Sequence, residues 1–278
     1  MISKIINTLR RFKRSKLALA LPVTFLILFI TTLSLVSATY YFSIMKIGTE
    51  GQMVKVSTAK QDLLSLNDKI LSTIWSPGSS STTIIKDSGG SIKIEPESNQ
   101  LQISVDDASS IQETIFTSPI GKVVYELPYS GTSEYGLFLA GDSRTIVNQT
   151  GSTRSQLSIV RGSEHPEIHL SFRPVVSYIN AGLENGKQVN DIRIFVTNLN
   201  SSIPLDSRGE LPLIIRCLDA QLVSRSYEIT YQSSNLAITA IENGATGSIS
   251  VPISSTAQGA IINLEIVVVN VAIERWIR

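Results

Sequence analysis

Cysteine is all but missing from this chain of 278 residues: Cys217 stands alone. A single thiol excludes an internal disulfide, so stability must come from an apolar core, which a body of about 200 residues can supply. It also excludes a lipid anchor on an amino-terminal cysteine. Histidine is nearly as scarce, with only His165 and His169. No acidic residue precedes Glu50, and no charge of either sign lies between Leu17 and Met45. No repeat of fixed period is evident in the sequence.

What is present is dominated by that uncharged run. Leu17–Met45 has twenty-nine residues, and a bilayer core of ~30 Å needs about 20 apolar residues of helix. The run can therefore span with some tilt. Its centre, Phe25-Leu26-Ile27-Leu28-Phe29-Ile30, is strongly apolar, and Thr31, Thr32, Ser34 and Ser37 can bond their own helix backbone. Pro22 falls near the start of the run, where losing a donor costs least. Tyr40, Tyr41 and Phe42 cluster at its far end, as an aromatic belt at a headgroup boundary does. Lys4, Arg10, Arg11, Lys13, Arg14 and Lys16 precede it, so the amino terminus is expected in the cytoplasm and everything beyond Met45 outside. Lys13, Arg14, Lys16 and the three aromatics mark the two membrane interfaces. The remainder carries 18 basic against 23 acidic residues, which offers no polybasic surface for nucleic acid. A rival reading cleaves after Val36-Ser37-Ala38, whose small residues suit a signal peptidase, but the apolar run exceeds the ~7–15 residues usual for a signal peptide.

Beyond residue 46 the pattern becomes amphipathic. Val56, Ala59, Leu63, Leu66, Ile70 and Ile74 recur at helical spacing, with Lys55, Lys60, Gln61, Asp62, Asp68 and Lys69 on the other side. This predicts a stalk helix over 46–75, loosened at Gly48 and Gly51 and stopped by Pro77-Gly78. Its apolar face serves either packing between subunits or docking on its own domain. Residues 76–83 read as a connector. Periodicity two then takes over: Ile92 and Ile94; Leu101, Ile103 and Val105; Ile168, Leu170 and Phe172; Ile192, Ile194 and Val196; Tyr227, Ile229 and Tyr231. Turn signals at Asp87–Gly90, Asn185-Gly186 and Asn243-Gly244 separate them. The expected fold is mainly β: an antiparallel β-sandwich over 84–278, as one body or as two sub-domains joined near 182–190, behind a membrane helix. Ile261–Ile273 is apolar on both faces and should be a central strand.

Chemistry is sparse. His165-Pro166-Glu167-Ile168-His169 lacks the helix and the glutamate directly after the first histidine that a zinc motif needs, and on a strand residues four apart lie ~13 Å apart. Glu167 and His169 can share the wet face. Gly131-Thr132-Ser133-Glu134-Tyr135-Gly136 has one residue too many for a nucleophile elbow, and Gly182–Lys187 is one short of a phosphate loop and reads as a hairpin turn. Acidic residues show no paired or calcium-loop spacing. No catalytic, cofactor or metal residue is assigned and no enzyme is expected. Cys217, in an apolar run, should be a buried inert thiol. Asn148-Gln149-Thr150 and Asn200-Ser201-Ser202 are glycosylation sequons suited to an exported surface.

The basic leader ending Arg14-Ser15-Lys16, the immediate apolar helix with Pro22-Val23, the amphipathic continuation and the β-rich remainder resemble archaeal type IV pilins and archaellins over residues 10–75. The resemblance implies a surface filament subunit: a leader peptidase trims the basic tail, apolar helices bundle, and β domains face outward. Lys16-Leu17 lacks the small residue those families carry after the cut, and the chain is long for them, which fits a minor component or a simple anchored protein better. The expectation is a single-pass cell-surface protein serving structure or adhesion. Its partners would be membrane lipid, further copies through the amino-terminal helix, and a surface glycan or protein. Alternatives are an exported glycan- or protein-binding module and, less favoured, a hydrolase with convergent carboxylates.

Overall fold

A computed structural model describes residues 2–107, 111–128, 135–150, 153–232 and 234–276, with side chains from residue 22 onward. The chain divides into two compact units, Met1–Met53 and Val54–Arg278. One helix, α1 (Ile2–Thr73), supplies the first and opens the second. It begins inside the basic stretch before Leu17, which holds no Gly or Pro to interrupt it before Pro22. It also runs unbroken through Gly48 and Gly51, where loosening was expected. Two penalties of about 1 kcal/mol do not outweigh the ladder on either side. Its end is capped by the Ser79 hydroxyl, which donates to Thr73 O at 3.1 Å.

Among the described residues, fourteen strands form two sheets. The six-stranded sheet runs β1 (Ser80–Ile85), β11 (Leu211–Ile229), β14 (Ala260–Arg275), β9 (Lys187–Asn198), β8 (Val175–Glu184) and β5 (Val147–Asn148). The eight-stranded sheet runs β13 (Ala245–Pro252), β12 (Asn235–Glu242), β2 (Ser91–Asp106), β3 (Gln112–Glu126), β7 (Pro166–Phe172), β6 (Ser155–Arg161) and β4 (Phe138–Ala140), with β10 (Leu205–Arg208) beside β2. The fold is thus mainly β with one long amino-terminal helix. Strand β1 starts inside the expected connector, since Thr82-Thr83-Ile84-Ile85 is β-branched and suits a ladder, and only residues 74–79 link it to the helix. Asn185-Gly186 and Asn243-Gly244 turn the β8–β9 and β12–β13 hairpins. All four have positive φ (51°, 79°, 46° and 83°), as a type I′ turn requires.

An antiparallel fold was expected, yet β9 and β14 pair in parallel from Gln188↔Ala260 to Asn198↔Asn270. Alternation fixes which face a residue takes and says nothing of strand direction; β10, β12 and β13 between them cross to the other sheet. Strand β14 is central, flanked by β9 and β11. Val269, Val271 and Ile273 share one core with the helix residues Val56 to Ile74 and with Ile92, Val123 and Ile168. Ile262, Leu264, Ile266 and Val268 share a second with Leu101, Ile103, Leu236 and Ile238. Each core draws on both sheets. Residues 54–278 group as one compact unit.

One buried charge organises the chain before β6. The Arg173 guanidinium, fully buried, donates to the Asp142 carboxylate at 2.5 Å, to Arg144 O at 2.9 Å and to Thr153 O at 3.0 Å. Arg144 and Arg173 together hold the Asp142 carboxyl well below its usual range. Asp142 therefore adds stability at neutral pH that fades as pH falls below about 4. Glu242, pushed upward by burial, acts in the opposite sense: its contribution is present in acid and is lost as pH rises through the raised value. Asp142→Asn should flatten the acid side of a melting-temperature profile, and Arg173→Met, which takes the buried donor from the Thr153 carbonyl and a cation from Asp142, should cost about 2–3 kcal/mol at pH 7 in chemical denaturation.

Candidate functional site

Two surfaces have the makings of a functional site, and the first is the helix. From Pro22 to Lys55 every residue of α1 is exposed, including Phe25 (72%) and Leu35 (70%). The segment is long and apolar enough to cross a membrane. Several of its hydroxyls bond their own helix: Thr31 and Thr32 donate to Leu28 O at 2.9 Å, Thr39 to Leu35 O at 2.8 Å, and Ser43 to Thr39 O at 2.8 Å. A helix without water needs this, because an unpaired polar group in hydrocarbon costs several kcal/mol. Tyr40, Tyr41 and Phe42 are exposed together, and the Tyr41 and Phe42 rings meet edge-on at 6.1 Å. Lys46 and Glu50 form the first exposed ion pair past the run, at 3.9 Å. Lys13, Arg14 and Lys16 lie on helical backbone, and their side chains are outside the described residues.

At Val56 the helix changes character. Val56, Ala59, Leu63, Leu66, Ile70 and Ile74 are all buried in a core with Ile85, Ile92, Leu213 and Val271. This face packs on the chain's own strands and is unavailable to a second subunit. Asp62, read as part of the wet side, is buried. Its carboxylate accepts Lys86 N–H at 2.7 Å, fixing the helix to the turn after β1. A carboxylate among apolar spacings looks solvated in sequence, and only the fold reveals an N–H waiting for it. Past the helix, the Arg154 guanidinium stacks between the rings of Trp75 (4.3 Å) and Phe195 (4.7 Å).

The second surface is a trough of about 640 Å³ on the six-stranded sheet. Strand register sets two adjacent rows across four strands. One is Ser177, Arg193, Glu265 and Ser224; the next is Ile179, Asp191, Asn263 and Ser226. Arg193 pairs with Glu265 through Nε at 2.8 Å and Nη2 at 2.6 Å. Asn263 donates to Asp191 at 3.0 Å and accepts from Ser226 at 3.1 Å. Ile179, 65% exposed, supplies an apolar end. The result is a polar floor with fixed donors and acceptors, suited to hydroxyl-rich or peptide ligands. Alternation placed Asp191 and Arg193 on a wet face, but their neighbours come from three other strands and left no motif.

The remaining candidates stay apart. His169 Nε2 meets Glu167 Oε2 at 2.7 Å on the wet face of β7. Among the described residues no three His, Cys, Asp or Glu side chains group to hold a metal ion. Residues 131–134 of the elbow-like stretch lie outside the described residues, and 182–187 form the β8–β9 hairpin end. Cys217 is buried, and burial pushes its thiol upward. Asn148 ends β5, with Thr150 exposed and its N–H donating to Asn148 Oδ1 at 3.4 Å. In the other sequon Asn200 is half-buried, and Ser202 is buried with its hydroxyl accepting Ile273 N–H at 3.0 Å. No protein-family model matches this sequence, and comparison with curated proteins finds no match.

Proposed function

We propose that this chain is a single-pass, membrane-anchored cell-surface protein with a structural or adhesive β-sandwich domain, as a pilin-like filament component is. The amino terminus stays in the cytoplasm, and the domain beyond the helix faces outward. The observation that carries this reading is the uncharged, wholly exposed and internally hydrogen-bonded helix from Pro22 to Met45. Water disfavours that much apolar side chain by about 25 cal/mol per Å², and lipid does not. Because the Val56–Ile74 face is already occupied, association between copies through the helix uses Leu17–Val54, where Ala18, Ala20, Ser34, Ser37 and Ala38 allow close packing. Asn148, with its open Thr150, is the sequon better placed for a glycan. The test is to shear filaments from the cell surface and sequence the amino terminus of this chain within them. A start near Leu17 in filaments supports the reading. A start at Thr39 in the medium overturns the anchor, and an uncleaved monomeric membrane form overturns the filament.

The trough favours a second reading, an exported module that binds a glycan or protein across the Arg193–Glu265 and Asp191–Asn263 rows. Asp191→Ala with Asn263→Ala should remove binding to cell-wall glycans without altering membrane retention, as read by pull-down.

A further inference from the structure

We propose that the open edge of β11 pairs with the same edge of a second copy, antiparallel and centred on Leu222. Strand β1 covers β11 only from Leu211 to Arg216, and the cover ends where Gly78 N–H donates to Cys217 O at 2.8 Å and Cys217 N–H to Ser79 O at 3.0 Å. Past that point no described strand lies on this side of β11, and residues 218–222, 224–226 and 228 are exposed. A bulge at Leu218 shifts the register against β14. Ladder alternation past the bulge turns the backbone N–H and C=O of Ala220, Leu222, Ser224 and Ser226 to the open side. Soluble proteins blunt such edges with charged side chains (lysine above all), proline or a mid-strand bulge. Residues 219–229 hold no lysine, proline or bulge, and their charges, Asp219, Arg225 and Glu228, are of mixed sign.

The occupant follows from length and charge. Centring the pair on Leu222 sets Leu218 opposite Ser226 at each end. The next step would bring the partner's Tyr227 against Cys217, whose N–H and C=O are already taken by β1. The ladder therefore fills the free edge from 218 to 226 and stops where the cover begins. In this register Asp219 faces the partner's Arg225 twice, and Leu222 meets the partner's Leu222. Centring on Val223 or Ser224 loses both charge pairs. No like charges oppose each other. The pairing would also join the trough rows, through Ser224 and Ser226, to those of the second copy.

Disulfide trapping tests this on the full chain in detergent with micelles in excess, leaving the buried Cys217 in place. Leu222→Cys should give a covalent dimer on mild oxidation, since paired strands bring Cα atoms within about 5.5 Å. Leu183→Cys, even more exposed and on the far edge of the same sheet, should give about tenfold less, as unguided collisions do. Asp219→Arg should lower the Leu222→Cys dimer about tenfold, and adding Arg225→Asp should restore it, because like charges opposed across strands are unfavourable. Equal dimer at positions 222 and 183, or a yield indifferent to the charge swap, overturns the proposal. Dimers formed only through the helix would give that equal outcome, so the membrane reading can stand while this one fails.

Discussion

If the helix spans a bilayer as proposed, lysine at both Leu28 and Leu33 should strip this protein from the membrane. Each lysine at the centre of a span costs about 2.5–3.5 kcal/mol in insertion, and each leucine lost forfeits a further ~0.3–0.6. Together the change is roughly 6–8 kcal/mol, enough to oppose insertion of a lone span. Both leucines are exposed, Leu28 at 59% and Leu33 at 56%. The same substitutions on a helix surrounded by water would leave the protein where it was and only improve its solubility. Leu28→Ala with Leu33→Ala is the control and should leave the chain in the membrane pellet after carbonate extraction. The double lysine variant should move to the supernatant.

Leu66→Ala has the second large effect, and a different one. Leu66 is fully buried, in the core that also holds Leu63, Ile70, Leu213 and Val271. Truncating it removes the transfer energy and leaves a cavity, about 3 kcal/mol or more. For a unit of this size that is roughly 6–12 °C in melting temperature. Leu26→Ala, on the same helix but exposed, should change stability by less than about 0.5 kcal/mol. Thermal melts of the two variants in detergent therefore separate the parts of one continuous helix, the one that serves the environment and the one that serves the fold. Were the Val56–Ile74 face an interface between subunits, Leu66→Ala would weaken assembly and leave the melt of the monomer unchanged.

How far the sequence could be read depended on what kind of signal each feature leaves. Strong periodicity was legible: the i, i+3, i+4 run from Val56 to Ile74 and the alternation at Ile92, Leu101, Ile168 and Ile192 all mark buried faces. The apolar, both-faced strand at Ile261–Ile273 is indeed central. Asn-Gly turns carried their own geometry, because few residues other than Asn and Gly accept positive φ twice in succession. Direction and pairing were not legible. Nothing in Lys187–Asn198 or Ala260–Arg275 announces that they run parallel, since the choice is made by where the intervening strands go. Asp62 looked solvated because a buried carboxylate and a surface one have the same letter; its partner, Lys86 N–H, is twenty-four residues away. The trough had no motif for the same reason, as its two rows are assembled from four strands that meet only in the folded sheet.

The most direct measurement places a reporter on the β domain and asks on which side of the lipid it lies. Thr246→Cys sits exposed near the start of β13, beside the β12–β13 turn, and the native Cys217 is buried and should stay silent. Intact cells are treated with a membrane-impermeant maleimide, and membranes are then washed in carbonate. Labelled chain retained in the washed pellet is the expected result. Label gained only after lysis, or labelled chain recovered in the carbonate supernatant, would contradict a single span with its basic end in the cytoplasm.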